Sequence, residues 1–133
     1  YAKGAHESWV LPIVQSGWER QWGLWDGADL RGALMLRHAP RLDASLHRAM
    51  LTIGLERSHR GQGWGRRLMQ SALEWAREQP SLHWVDLNVF EHNTPARHLY
   101  QHFGFREVGR RQDVFRVRGE KIADIAMVLA LER

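Results

Sequence analysis

Apolar and polar positions along this chain follow two rhythms, and each marks a different kind of element. Between Gly63 and Glu78 the spacing is helical. Leu68, Met69, Ala72, Leu73 and Ala76 fall on one face, while Arg67, Gln70, Ser71, Glu74 and Arg77 face water. Gln79-Pro80 ends that helix. Upstream, about Glu19 to Trp25 and about Leu30 to Arg37 read as two strands joined through an Asp26-Gly27 turn. Pro40 to Ser45 reads as loop, and Arg48 to Leu55 as a strand feeding the helix. His83 to Phe90 alternates and then runs apolar, as an interior strand does. Asn93 stands where an N-cap belongs, Pro95 falls in the first turn of a short helix, and Gly104 suits the residue just past its end. Two last strands, about Arg106–Arg118 and Ile122–Leu131, flank an Arg118-Gly119-Glu120 turn. Residues 1–18 carry apolar residues around Pro12 without a clean period and read as an irregular or helical lead-in. The order β-β-β-α-β-α-β-β predicts an α/β fold, a mixed sheet covered by both helices.

The turn between Leu55 and the first helix is the most informative stretch. Glycines at 61, 63 and 65 let the backbone approach a ligand without an intervening Cβ. The helix that follows points its unpaired N–H groups, and the positive end of its dipole, back into the turn. Arg60, Arg66 and Arg67 add positive charge. The combination reads as a pyrophosphate cradle. It is not a P-loop, because the Lys–Ser or Lys–Thr pair is missing, and its G-x-G-x-G spacing departs from the G-x-G-x-x-G of dinucleotide folds.

Composition narrows the classes. With 133 residues, 44% of them apolar and 26% charged, the chain reads as one soluble domain over 1–133. No apolar run approaches the roughly 20 residues a membrane span needs, and no signal-peptide pattern opens the chain, so a cytoplasmic location is expected. The absence of cysteine excludes disulfides, thiolate metal sites and a cysteine nucleophile. The net charge of +4 is carried mostly by arginine, with lysine only at 3 and 121. That balance suits an anionic ligand or nucleic acid, though a general preference for arginine over lysine explains it equally well.

Arg60-Gly61-Gln62-Gly63-Trp64-Gly65 resembles the acyl-CoA motif [Q/R]-x-x-G-x-[G/A] of the GNAT superfamily of N-acyltransferases. A second stretch, Asn93 to Phe105, is similar to that family's N-x-x-A-x-x-L-Y-x-x-x-G-F, matching at Asn93, Ala96, Leu99, Tyr100, Gly104 and Phe105. The resemblance covers about Asp26 to Leu131 and implies a mixed, mostly antiparallel twisted sheet with helices packed on its faces. The family's N-terminal strand and helices would be short or missing here. The chain also begins at Tyr1 without an initiator Met, so the domain is expected to be N-terminally incomplete.

The resemblance further implies an acetyl-CoA-dependent N-acetyltransferase and a set of roles. The strand backbone at Ile53, Gly54 and Leu55 would meet the pantetheine arm of acetyl-CoA, and an N–H there could polarise the thioester carbonyl. The turn Arg60, Gly61, Gln62, Gly63, Trp64, Gly65 and Arg66 would hold the pyrophosphate, and Asn93 would contact the CoA arm. Tyr100 would sit near the sulfur as general acid, against the plain alternative of an amphipathic tyrosine packed between helix and sheet. Asn88 falls where some relatives carry a catalytic glutamate; an amide takes no proton at neutral pH, so Asn88 could only orient water or the amine. Asp86 and Glu91 lie close in sequence and could act through water, and no base is assigned.

His98 and His102 share a helix face, but H-L-Y-Q-H lacks the glutamate of H-E-x-x-H and no third ligand is placed, so no metal is expected. Trp9, Trp18, Trp22 and Trp25 cluster near the start, where they suit ordinary packing, an apolar acceptor pocket or a homodimer contact. The expected acceptor is a primary amine of a small molecule such as an amino acid. The alternatives are a protein N-terminus or lysine, and a non-catalytic acyl-CoA- or nucleic-acid-binding module. The interleaved arginines from Arg106 to Arg118 favour a solvated edge strand over nucleic-acid contact.

Overall fold

The computed structural model describes residues 4–10, 19–38 and 46–131. Among these residues seven strands and two α-helices follow in order: β1 Gly4–Val10, β2 Glu19–Asp26, β3 Asp29–Arg37, β4 Arg48–Leu55, α1 Trp64–Glu78, β5 Trp84–Phe90, α2 Thr94–His102, β6 Arg106–Val117 and β7 Glu120–Ala130. The strands form one sheet in the order β1-β2-β3-β4-β5-β7-β6. Neighbours are antiparallel except β4 and β5, which run parallel and are joined by the crossover through α1. The mixed, mostly antiparallel sheet expected from the sequence is present.

Three differences have physical causes. The lead-in holds a strand, β1, paired antiparallel with β2. Its register shifts between His6 and Trp9, and a bulge of that kind interrupts the period-2 pattern that would have revealed a strand. The last hairpin closes earlier than the apolar run implies, with β7 starting at Glu120 opposite Val117. Arg118 and Gly119 both take positive φ, 52° and 81°, the pair of values a two-residue hairpin turn of type I′ requires. Both helices also lie on one face of the sheet, where a single apolar cluster joins them to it. The expected loop from Pro40 to Ser45 lies outside the described residues.

Alternation along the strands sorts the two faces. Trp22, Leu24, Leu34, Leu36, Leu51, Val85, Leu87, Ile125 and Met127 point to the helical face and are buried there. All the apolar positions predicted for the inner face of α1 are fully buried, from Leu68 to Ala76. Trp22 belongs to this core, edge-on to Trp75 at 5.8 Å, so ordinary packing accounts for it and no acceptor pocket is needed. α2 is capped by Asn93, whose side chain accepts a hydrogen bond from Ala96 N at 3.4 Å. Neither helix is long and apolar enough to cross a membrane.

Leu73 stands where α1 meets the sheet and has no exposed surface. Leu73→Ala should destabilise the fold by about 2–5 kcal/mol, read as a lowered urea midpoint at unchanged slope.

Candidate active site

β4 and β5 part company soon after they meet. Their parallel pairing covers only Arg48 to Met50 opposite Trp84 to Asp86, and beyond it β4 is bonded on the β3 side alone. The later half of β4 therefore presents backbone N–H and C=O groups to an opening rather than to a neighbour. A cavity of about 730 Å³ occupies this opening and continues to the start of α1. Ile53, Gly54 and Leu55 form one wall. Asn93, Pro95, Ala96, His98, Leu99 and Tyr100 form the other, from α2. Arg60, Gly61, Gly63, Gly65 and Arg66 close the end.

The closing turn has the geometry of an anion site. Gly61 and Gly63 take φ of 72° and 85°, the left-handed region that a Cβ penalises. Gly63 is the N-cap of α1, and Arg67 is the first helical residue to donate a backbone bond, to Gly63 O at 3.2 Å. The N–H groups of Trp64, Gly65 and Arg66 before it have no carbonyl partner among the described residues. A Cβ built on Gly54, Gly61 or Gly63 meets nothing within 4 Å, so the ligand side of the backbone is open there. Side chains brace the loop: Arg60 Nε donates to Leu55 O at 3.1 Å, and Gln62 Nε2 to Ser58 O at 2.8 Å. These features fit a pyrophosphate group.

Gly65 serves a different purpose from its neighbours. A Cβ there would meet Leu99 Cδ2 at 3.2 Å and Leu55 Cδ1 at 3.6 Å. Its missing side chain lets α1, α2 and the end of β4 approach one another. Gln62 and Trp64 do not line the cavity; Gln62 holds the loop, and Trp64 packs on the core with Arg67 5.4 Å above its ring.

Tyr100 is only 6% exposed, yet it belongs to the cavity lining. Burial raises its phenol above the usual 10.0, so the group is protonated at neutral pH. No hydrogen-bond partner for its hydroxyl lies among the described residues, which leaves the proton free for a ligand. Asn88 is exposed on the face of the sheet away from the helices, outside the cavity lining. Asp86 is held by Arg48, with Nε to Oδ2 at 2.8 Å, and Glu91 by Arg110 at 2.6 Å. His98, Pro95, Ala96 and Leu99 join the lining, although sequence reasoning gave them no contact with CoA. The spacing of α2 from Asn93 to Tyr100 already held that signal, because residues three and four apart share a face. Among the described residues no group of three or more His, Asp or Glu side chains is placed to hold a metal ion.

The sequence profile of the acetyltransferase (GNAT) family matches residues 4–105, more than half of the chain. The chain belongs to this family. Among its GNAT relatives, the N-alpha-acetyltransferase RimI of Mycobacterium tuberculosis is 35% identical over 88 residues, 66% of this chain and 51% of that protein. The spermidine N(1)-acetyltransferase of Vibrio cholerae is 35% identical over 75 residues, 56% of this chain and 43% of that protein. The chain thus spans about half the length of these curated relatives. The structure of yncA from Salmonella typhimurium with its cofactor acetyl-CoA superposes with a TM-score of 0.78 at 17% identity, covering 86% of this chain and 66% of that one. The GNAT fold is therefore shared at low identity.

The two kinds of glycine should separate on substitution. Gly65→Val should lower the unfolding midpoint because Leu99 and Leu55 must shift. Gly61→Ala, with open space around its Cβ, should cost no more than the about 1–2 kcal/mol of left-handed strain. It should nonetheless weaken CoA binding measured by calorimetry.

Proposed function

We propose that the chain is an acetyl-CoA-dependent N-acetyltransferase, moving an acetyl group to a primary amine of a small molecule by direct attack in a ternary complex. The observation that carries this reading is one cavity with an anion-binding turn at one end and an uncommitted, protonated phenol in its wall. The curated relatives are named for acetylation of amines, which supports the reaction class.

In this reading the N–H groups at the start of α1, with Arg60 and Arg66, bind the pyrophosphate of acetyl-CoA. The free edge of β4 at Ile53, Gly54 and Leu55 takes the amides of its pantetheine arm, as an added strand would. One N–H there polarises the thioester carbonyl. Asn93, whose Oδ1 caps α2, offers its amide nitrogen to the arm. The neutral amine nitrogen attacks the carbonyl carbon, the C–N bond forms, and the C–S bond breaks. Tyr100 gives its proton to the departing sulfur, and the proton shed by nitrogen returns to the phenol through water. Asn88 lies on the opposite face of the sheet from the cavity, so its part in this reading is limited to orienting the amine or a water on the acceptor's side, and as an amide it takes no proton. Without cysteine, a thioester-linked acetyl-enzyme has no residue to form on.

A thiol-release assay with acetyl-CoA against small amines, amino acids and peptides tests the acceptor class. Turnover of small amines supports the proposal, and turnover of peptide N-termini alone would overturn it in favour of protein acetylation. Tyr100→Phe should fold and bind CoA as the parent does while kcat falls by about 10²–10⁴-fold. An unchanged kcat, with the chemical step limiting, would leave Tyr100 a packing role. Initial-rate plots should intersect, whereas parallel lines would indicate a covalent acetyl-enzyme.

A further inference from the structure

The face of the sheet opposite the helices carries a polar group that neither the fold nor the catalytic reading uses. Asp124 on β7 is 8% exposed. Among the described residues its charged partner is Arg111, whose Nη2 lies 3.7 Å from Oδ2, beyond hydrogen-bond reach. Arg111 itself is three-quarters exposed. Buried carboxylates normally have donors in contact, and among the described residues no donor lies within hydrogen-bond distance of this one, whose side chain keeps 11% of its surface open.

Register explains both its burial and its opening. Phe90 on β5 and Arg111 on β6 flank Asp124 in one row across the sheet. Phe115 faces Ile122 in the row on one side, and its ring meets that of Phe90 at 5.0 Å, across β7. The pair roofs the carboxylate from that side while remaining 40% and 46% exposed themselves. The row on the other side is Asn88, Ala126 and Gly109, a short amide, a methyl group and no side chain. A hollow results, with small residues as its floor and the carboxylate and the two aromatic rings along one edge. It lies beside the gap in the sheet, because Asn88 and Phe90 belong to the part of β5 beyond Asp86 that β4 no longer pairs with.

We propose that this hollow is the acceptor subsite, and that Asp124 makes it select amines carrying a positive charge in place of neutral or acidic ones. Carboxylate and aromatic faces together are the chemistry that recognises an ammonium group: the anion meets its charge, and the ring faces attract the cation and pack on its carbon stem. A diamine fits best, one nitrogen reaching the thioester while the other is held as ammonium at Asp124. Arg111 is the competing cation that the ligand displaces. The inference rests on the acyltransferase reading, and the following test separates the two.

Calorimetry in the presence of CoA, which allows no turnover, would use 1,4-diaminobutane and spermidine as probes, with 1,4-butanediol and glutamate as neutral and acidic controls. The parent should bind the cationic probes and neither control. Asp124→Asn, nearly isosteric, should weaken the cations at least tenfold while leaving CoA affinity unchanged. Phe115→Ala should weaken them as well. Arg111→Ala should tighten them, an outcome that a merely structural Asp124–Arg111 pair does not produce. The subsite is overturned if the parent fails to bind the cations, if butanediol binds equally well, or if Asp124→Asn binds them like the parent. A separate titration with CoA alone bears on the acyltransferase reading: loss of CoA binding would sink that reading, and the amine titrations report on the hollow independently.

Discussion

The structure depends on one interrupted strand pairing. β4 and β5 are the sheet's parallel neighbours, and they stay bonded for only three residues each before diverging. A crossover helix must connect parallel strands, and here α1 begins beside the gap the divergence leaves. The cost is a stretch of β4 backbone whose polar groups lack a partner on one side. In the proposed reading, a ligand that carries its own amides resolves that cost, and the turn before α1 supplies the charge to hold its phosphate end. Packing, backbone chemistry and electrostatics thus converge on a single cavity.

The surrounding core keeps the gap from closing. Leu68, Leu73, Leu87 and Met127 are fully or almost fully buried between α1 and the sheet, so the strands cannot slide together without exposing them. Gly65 sets the approach of α1 to α2 through Leu99, which places Tyr100, the next residue, in the cavity wall. A packing glycine and the Tyr100 wall of the cavity are therefore linked through Leu99.

Much of this was legible in the sequence. The helical stripe from Leu68 to Ala76 reads directly because an amphipathic helix buries one face. The Asn93 cap and the turn glycines read because each has a local backbone cause. β1 was illegible because pairing with β2, not its own pattern, makes it a strand, and its bulge hides the alternation. The purpose of Gly65 was illegible because its neighbour Leu99 is 34 residues away. Asn88 fell on the expected strand, but whether a strand position faces the cavity or the opposite side depends on which face the helices cover. Asp124 left a trace, a lone acid in the apolar run Ile122 to Leu131, whose meaning depends on cross-strand neighbours.

The central claim is that the α1 turn holds a pyrophosphate while the free edge of β4 holds the arm beyond it. Calorimetry of the parent chain with CoA and with pantetheine, which lacks the nucleotide and both phosphates of the pyrophosphate, tests it most directly. The account predicts that CoA binds far more tightly than pantetheine and that rising salt narrows the difference. Equal affinity for the two ligands would contradict it.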